Sequence, residues 1–517
     1  MSFNSIVFVL FFLPASVLGY YVLALTPLYR LRLPFLILMA LIFYGRAQPS
    51  YVPLLLGSII TNYLIAAMIA RNMDHERTKR VWLALGVIMN TGALISFKYL
   101  SAVVGAIAGT FGHPNPVRDV IAPLAISFYT FQQISFLVDV ARGKVELEGI
   151  VRYMSFVAFF PTLLAGPITL YSEMGPQLDI RPQRRGVAQN LLIGLIIFSL
   201  GLFKKTVLAD TMGLWVDPVF AAVHKGSSPG FFLGWGTALA YTLQIYFDFS
   251  GYCDMAIGVA RMLGIVLPLN FYSPLRSTSI SDFWRRWHMT LGRFVRVYIH
   301  QPLSIPLARF AAQRGYGKWA ALTISMFLPT FLSMLIIGTW HGPSWTYVVF
   351  GAMHGTFMVT NEIYSVSTRK KRHKKKDSLS ATFCYGLLTL LAFVTADVPF
   401  RSETVSDAVR IFGGMAGLHG LGLAQNTLAF FAPNGNGMML LLLVLGFLIV
   451  YLLPNTEQIM DKVHPALEWE KWRSVDPAPI RFTFLFTPTG IALASLSLFL
   501  GFAFISRGST NFIYFKF

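Results

Sequence analysis

Charge and cysteine are scarce in this chain. Only 13% of its 517 residues are charged while 55% are hydrophobic, and acidic residues number 23. So few charges cannot cover a soluble globular surface, and a polytopic membrane protein is expected. The two cysteines, Cys253 and Cys384, lie in separate apolar segments, which excludes a disulfide framework and a Cys-x-x-Cys metal or redox motif. No period of roughly 20 to 50 residues recurs, so solenoids and inverted-repeat transporters lack support. No basic residue precedes the apolar stretch Ile6 to Tyr29, no small-residue cleavage pattern follows it, and Arg30 and Arg32 come after it. A retained first span is expected, not a removed signal peptide.

What the chain does have is a net charge of +19. Its basic residues are scattered over short loops between apolar runs, the pattern of the positive-inside rule and not of a nucleic-acid surface. Apolar runs at 5–29, 33–45, 51–70, 81–107, 120–140, 187–203, 230–250, 319–340, 343–363, 379–396, 437–453 and 485–505 amount to about twelve segments near the length that crosses a bilayer. The expected fold is all-α: a polytopic bundle of roughly eleven or twelve transmembrane helices with re-entrant and interfacial pieces. With the amino terminus on the periplasmic side, the basic loops at Arg30/Arg32, Arg71 to Arg80, Arg142 to Arg152, 369–376 and Lys462 to Arg481 all fall on the cytoplasmic side.

That parity requires Tyr153 to Tyr171 not to cross, since arginines on both sides of it belong on one face. Pro161, Gly166 and Pro167 break any helix there, so the segment is expected to be re-entrant. Lys204 and Lys205 are at odds with this scheme, ending a span on the outer side. The run RKKRHKKK at 369–376 reads as a topogenic cytoplasmic loop that touches anionic headgroups.

Two histidine motifs carry the chemistry. In Ser279 to Pro302, Arg285, Arg286, Arg293 and Arg296 gather on one helical sector and Phe283, Trp284, Trp287, Leu291, Phe294, Val295 and Tyr298 on the other, which predicts one amphipathic interfacial helix capped by Ser279 or Ser281. His288 falls at the edge of its apolar sector. The second motif is Trp340-His341-Gly342-Pro343, where Gly-Pro should stop one helix and start the next. Ionisable groups in such apolar surroundings are functional candidates. Helical spacing puts His354 on nearly the opposite face from His341, and no carboxylate stands at ligand spacing, so no metal site is expected.

FWRRWHMTL followed by GTWHGPSWTYVVFGAMHG strongly resembles the membrane-bound O-acyltransferases. Resemblance continues in ISFYTFQQISFLVDVARG, SFVAFFPTLLAGPI, GLFKKTVLAD and QIYFDFSGYCDMAIGVARMLG, over about residues 5–400. Its densest core is 120–400 and its most specific part 244–355. The whole chain, 1–517, is expected to be a single membrane domain, with weaker resemblance in 401–517. Among the branches it looks most like the bacterial alginate O-acetyltransferase group, which also acetylates cellulose or other exopolysaccharides, and less like the teichoic-acid D-alanyl transfer protein.

The resemblance implies a helical bundle pierced by a tunnel that both histidines face. A cytoplasmic thioester, acetyl-CoA or similar, is the implied donor substrate; no tightly bound cofactor is expected. The acceptor hydroxyl, or a periplasmic acetyltransferase of a polysaccharide-modifying complex, would meet the far side of the inner membrane. Histidine suits base catalysis because its ordinary pKa lies near operating pH and burial favours the neutral ring. His341 is assigned as general base, and His288 as the group that orients the acyl carbonyl or stabilises its charge. No Ser-His-Asp or phosphate-loop pattern stands out, which favours direct transfer. Trp340, Trp287, Asp248, Asp254, Gln132, Gln133, Gln244 and His354 are supporting candidates, and Arg285, Arg286, Arg293 and Arg296 could meet donor phosphates.

One departure matters. Arg296-Val297-Tyr298 replaces the family's Arg-Asp-Tyr, and its following double glycine is absent from HQPLSIPLARF, so the family's donor binding and partner docking are not carried over through that loop, and a substrate subgroup other than alginate is an open expectation. Peptidoglycan O-acetylation and D-alanyl transfer stay open as related readings. A transporter or flippase, and a scaffold of an export complex, are the readings from other classes.

Overall fold

The computed structural model describes residues 2–115, 117, 122–372, 378–422, 436–483, 487–505 and 512–513. Apolar chain without water must satisfy its backbone internally, and the described residues do so almost wholly in helices. Each expected apolar run is covered by one. Among the described residues, five helices are long and apolar enough to cross a membrane, Pro49–Arg71, Glu76–Thr110, Arg184–His224, Lys318–Trp340 and Leu379–Arg401. Arg32–Gly45, at 14 residues, is short as expected. The basic run lies at the end of Trp345–Arg372; residues 373–376 are outside the described residues.

Hydrogen bonds between helix ends define two faces. On the face rich in arginine, Tyr21 donates to the Met262 carbonyl at 2.9 Å and Arg32 to that of Leu178 at 2.6 Å. On the opposite face, Leu124 N–H donates to Gln48 at 2.6 Å and Arg401 to Asp217 at 2.6 Å. Alternation of these ends follows the expected parity. The re-entrant reading holds as well: Ile150–Val157, Phe160–Leu163 and Tyr171–Asp179 form a broken, buried hairpin. Arg152 and Asp179, near its two ends, pair with each other on the arginine-rich face.

The long helix Phe231–Met262 runs through the centre, buried along most of its 32 residues. It packs on Arg184–Phe203 with glycine against glycine. A Cβ on Gly258 would stand 2.6 Å from the Gly194 carbonyl, and one on Gly201 2.6 Å from that of Gly251. Small residues at these points let two backbones touch.

This contact explains Lys204 and Lys205. The helix does not end at Phe203 but continues as one 41-residue run to His224, through a π-turn at Lys204–Ala209. Such a turn rotates side chains off the regular register. Lys205 Nζ reaches Asp248 at 2.5 Å and Asp210 at 2.7 Å, and Lys204 reaches Asp254 at 2.7 Å. The expectation that these lysines end a span is therefore corrected: the helix runs on through them, and two of the proposed site carboxylates, Asp248 and Asp254, neutralise them inside the bundle. The carboxy-terminal region joins the same core, Thr456 donating to Asp254 at 2.6 Å and the Ile513 N–H to Asp248 at 2.9 Å.

Candidate active site

The expected continuous helix over 279–302 is broken at its middle. Ser279 caps Ile280–Arg286 by accepting from the Asp282 N–H at 3.1 Å. His288 then adopts φ +43°, and Met289–Val295 starts in a new direction. A left-handed, non-glycine residue is costly and persists only where its surroundings enforce it. Here the 265–277 loop does so: Tyr272 N–H donates to the Arg286 carbonyl at 3.0 Å and Met289 N–H to that of Asn270 at 2.9 Å. The break turns Trp287 and His288 inward, leaving His288 only 1% exposed.

Asn270 also fixes the histidine's tautomer. Its Oδ1 accepts from the Thr290 N–H at 3.2 Å, an obligate donor, so the amide oxygen and not the nitrogen faces this cluster. His288 Nδ1, 3.0 Å from the same oxygen, must therefore be its protonated nitrogen, and Nε2 carries the lone pair. The Asn270 amide nitrogen donates to Cys253 at 3.0 Å.

His341 ends Lys318–Trp340 as predicted, and Trp345–Arg372 turns back against that helix. A Cβ on Gly338 would lie 2.7 Å from the Gly351 Cα, so this helical hairpin closes tightly. The last carbonyls of a helix lack intrahelical partners. Two side chains from Glu76–Thr110 supply them: Lys98 donates to the Trp340 carbonyl at 2.7 Å and Tyr99 to that of Thr339. The His341 ring sits edge-on to Phe400, with centroids 4.8 Å apart.

Two small cavities are lined by these rings, and a larger one shares walls with the first. A small one of 10 Å³, room for about one water-sized group, is lined by both histidines with Trp284, Trp287, Ile337, Phe350, Asp397 and Phe400. Trp284 and Ile337 also line a 540 Å³ cavity on the arginine-rich face. On the other side, a 30 Å³ cavity shares His341 with Lys98, Trp340 and the 122–128 segment. The two imidazoles thus stand between cavities that are divided from one another by single side chains, Trp284 on one side and His341 on the other. Span counting alone sets the histidines near opposite membrane faces; the broken helices bring them to one cavity.

The arginines divide. Arg285, Arg293 and Arg296 line the large cavity. Arg285 is paired with Asp282 at 2.5 Å, Arg293 with Glu173 at 2.9 Å, and Arg296 is exposed. Arg286 does not line it: the helix break points it at Asp282 and Asp476, at 2.8 and 2.7 Å, so its expected donor contact is corrected. Leu467, Lys471 and Trp472 complete the wall, so the weakly resembling carboxy-terminal region helps to build this cavity. Val297 leaves Tyr298 to donate to Asp139 on another helix, at 2.7 Å.

His354 is not remote from His341. Because the chain reverses at Gly342-Pro343, both rings flank Phe350, at 4.6 and 6.1 Å. His354 Nδ1 accepts from the Trp284 indole at 3.2 Å and so holds the ring that separates two cavities. Trp287 packs between Phe271 and Phe393, each at 5.0 Å. Gln132 donates to Thr169 at 2.9 Å, Gln133 accepts from Asn62 at 2.7 Å, and neither lines these cavities. Gln244 is buried in the central helix. Among the described residues no group of His, Cys, Asp or Glu could hold a metal ion.

Sequence reasoning passed over Asn270, Lys98, Tyr99 and Asp397. Lys98 and Asp397 had a signal, each a lone charge in or beside an apolar run; Asn270 had none. Asp397 accepts from Thr242 at 3.2 Å at the edge of the histidine cavity.

The family model of MBOAT, the membrane-bound O-acyltransferase family, matches residues 140–398, which include both histidines and Asp397. The chain is 36% identical to the peptidoglycan O-acetyltransferase of Helicobacter pylori over 453 residues, 82% of this chain and 81% of that protein. It is 32% identical to the "Probable alginate O-acetylase AlgI" of Pseudomonas aeruginosa, over 87% and 81% of the two chains. A teichoic acid D-alanyltransferase of Streptococcus thermophilus matches at 28%, over 52% of this chain and 62% of its own length. This all-helical chain, with two buried histidines where its cavities meet, belongs to the membrane-bound O-acyltransferase family and is an O-acyltransferase.

Proposed function

We propose that the protein takes an acetyl group from a thioester on its arginine-rich, cytoplasmic face and passes it across the bacterial inner membrane to a hydroxyl that serves an exported polysaccharide. The observation that carries this reading is the pair of imidazoles where cavities from the two faces meet. Arg296 and Arg285 suit the phosphates of a coenzyme A-like donor, since guanidinium pairs with phosphate in a bidentate way.

In this reading His341 takes the proton of the attacking hydroxyl as its oxygen bonds to the thioester carbon. The carbon–sulfur bond then breaks, and the thiolate leaves with the proton that His341 returns. His288 changes role from that expected. Its Nε2 is an acceptor in the neutral ring, so in this reading it does not donate to the oxyanion. The Trp340 indole N–H, buried beside His341 and without an acceptor among the described residues, is the donor suited to that charge.

A second reading, acetylation of peptidoglycan, is favoured by the 36% identity to the Helicobacter pylori protein. Its acceptor would enter from the same side.

Purified protein in nanodiscs with radiolabelled acetyl-CoA tests the reaction. The wild type should release or transfer label, and His341→Ala should lose about a thousandfold in rate at an unchanged melting temperature. Equal turnover by both would remove His341 from the chemistry. Measuring acetyl groups on exopolysaccharide and on muramyl residues in a deletion strain separates the two acceptors.

A further inference from the structure

Among the described residues that line the 30 Å³ cavity beside His341, Lys98 is the one permanent charge. Its ammonium donates to the Trp340 carbonyl at 2.7 Å. That oxygen and the His341 backbone nitrogen belong to one peptide unit, so the ammonium stands within about 5 Å of that nitrogen. Among the described residues no carboxylate lies at ion-pair distance from Lys98. Asp397 lines the cavity on the other side of His341 and not this one, and accepts from Thr242.

Holding a helix end does not call for a charge. Tyr99, the next residue, is neutral and holds the Thr339 carbonyl in the same way. An ammonium in apolar surroundings is costly, and a single carbonyl offsets only part of that cost. Lys98 therefore brings to the cavity a positive charge that the protein leaves without a counter-charge. The room there, for about two water-sized groups, suits the two oxygens of a carboxylate better than the four of a phosphate ester.

We propose that Lys98 selects an acceptor whose reacting hydroxyl belongs to an acidic sugar, the sugar's carboxylate pairing with the ammonium while the hydroxyl meets His341. A whole sugar ring exceeds this cavity, so only its acidic edge enters. Given the proposed direction of transfer, on which this selection rests, a neutral sugar would leave the ammonium with a carbonyl alone. A uronic or muramic acid unit supplies the missing charge through a charge-assisted hydrogen bond.

Transfer from acetyl-CoA to D-glucuronate and to D-glucuronamide, by purified protein in nanodiscs, tests the proposal. The two acceptors share their hydroxyls and differ in charge. Wild type should acetylate the acid with a kcat/KM about tenfold above that for the amide, the effect of one charge-assisted hydrogen bond. Lys98→Gln can still donate to the Trp340 carbonyl but carries no charge, and its ratio of acid to amide should fall to near one. Lys98→Arg should keep the preference. Because the ratio is taken within each protein, a general loss of rate or of folded protein does not move it, and a purely structural role for Lys98 would leave it unchanged. Equal use of acid and amide by wild type, or a preference that survives Lys98→Gln, would overturn the proposal. So would hydrolysis of acetyl-CoA by wild type with no transfer to glucuronate. No acetyl release from acetyl-CoA under any condition would instead remove the donor reading, and this selection with it.

Discussion

At the scale of single residues, the candidate site is shaped by the groups that hold its two histidines. Asn270 decides which nitrogen of His288 bears the proton, through an amide whose own orientation is dictated by the Thr290 N–H. Asn270→Ala should therefore cut kcat by about a hundredfold with a smaller effect on donor KM; a pure KM effect in steady-state kinetics would argue against the tautomer role. Lys98 and Tyr99 hold the carbonyls that precede His341. Tyr99→Phe should cost about 1 kcal/mol of stability, as one hydrogen bond to a helix end is lost, measured by denaturant titration in micelles. The two histidines were legible as candidates because an ionisable side chain in apolar sequence stands out. Asn270 was not, because an asparagine in a loop looks the same in sequence whether it caps a turn or orients a catalyst.

At the scale of elements, apolar run length predicted each helix, and it failed where a local device bends or prolongs one. The π-turn at Lys204–Ala209 carries one helix through two buried lysines, which no hydropathy window anticipates. The break at His288 depends on hydrogen bonds from a loop that precedes it in the chain. Close helix contacts are equally specific: Gly258→Leu would press a side chain into the Gly194 carbonyl and should destabilise the bundle by about 3 kcal/mol or prevent its folding. Gly186→Leu, at a glycine with open space around it, should be tolerated; equal melting of both variants would disprove the contact. The re-entrant hairpin has its own pH dependence. Burial pushes the Glu148 carboxyl up, but hydrogen bonds from Arg152 and Tyr171 outweigh it and hold the carboxyl below its ordinary value. Because the folded value is the lower one, this stabilisation is present above the ordinary carboxylate pKa and is lost as pH falls through the folded value. Melting curves should accordingly lose less on acidification in Glu148→Gln than in wild type.

At the scale of the whole molecule, the cavities set what can be transferred. The waist has room for about one water-sized group, so the proposed transfer is expected to favour a short acyl group. Trp284, held by His354, divides it from the 540 Å³ cavity. Trp284→Ala should let butyryl-CoA compete with acetyl-CoA; unchanged chain-length preference in a mixed-donor assay would show that the restriction lies elsewhere. Orientation is a whole-molecule property too. Cysteines introduced at Arg80 and Arg185 should react with a membrane-impermeant maleimide only in inverted vesicles, and labelling in intact spheroplasts would reverse the assignment of faces.

Sequence by itself determined the class of protein, the positions of its helices, the re-entrant segment and the two histidines. Each of these follows from local composition: a bilayer or a helical interior selects apolar chain of a given length, and a polar residue within it is conspicuous. Only the tertiary structure decided that His288 and His341 share one cavity, that Arg286 turns away while Arg296 stays, that Asp248 and Asp254 neutralise lysines, and that residues beyond 460 wall the large cavity. These depend on contacts between residues far apart in the chain, where geometry and not composition chooses the partner.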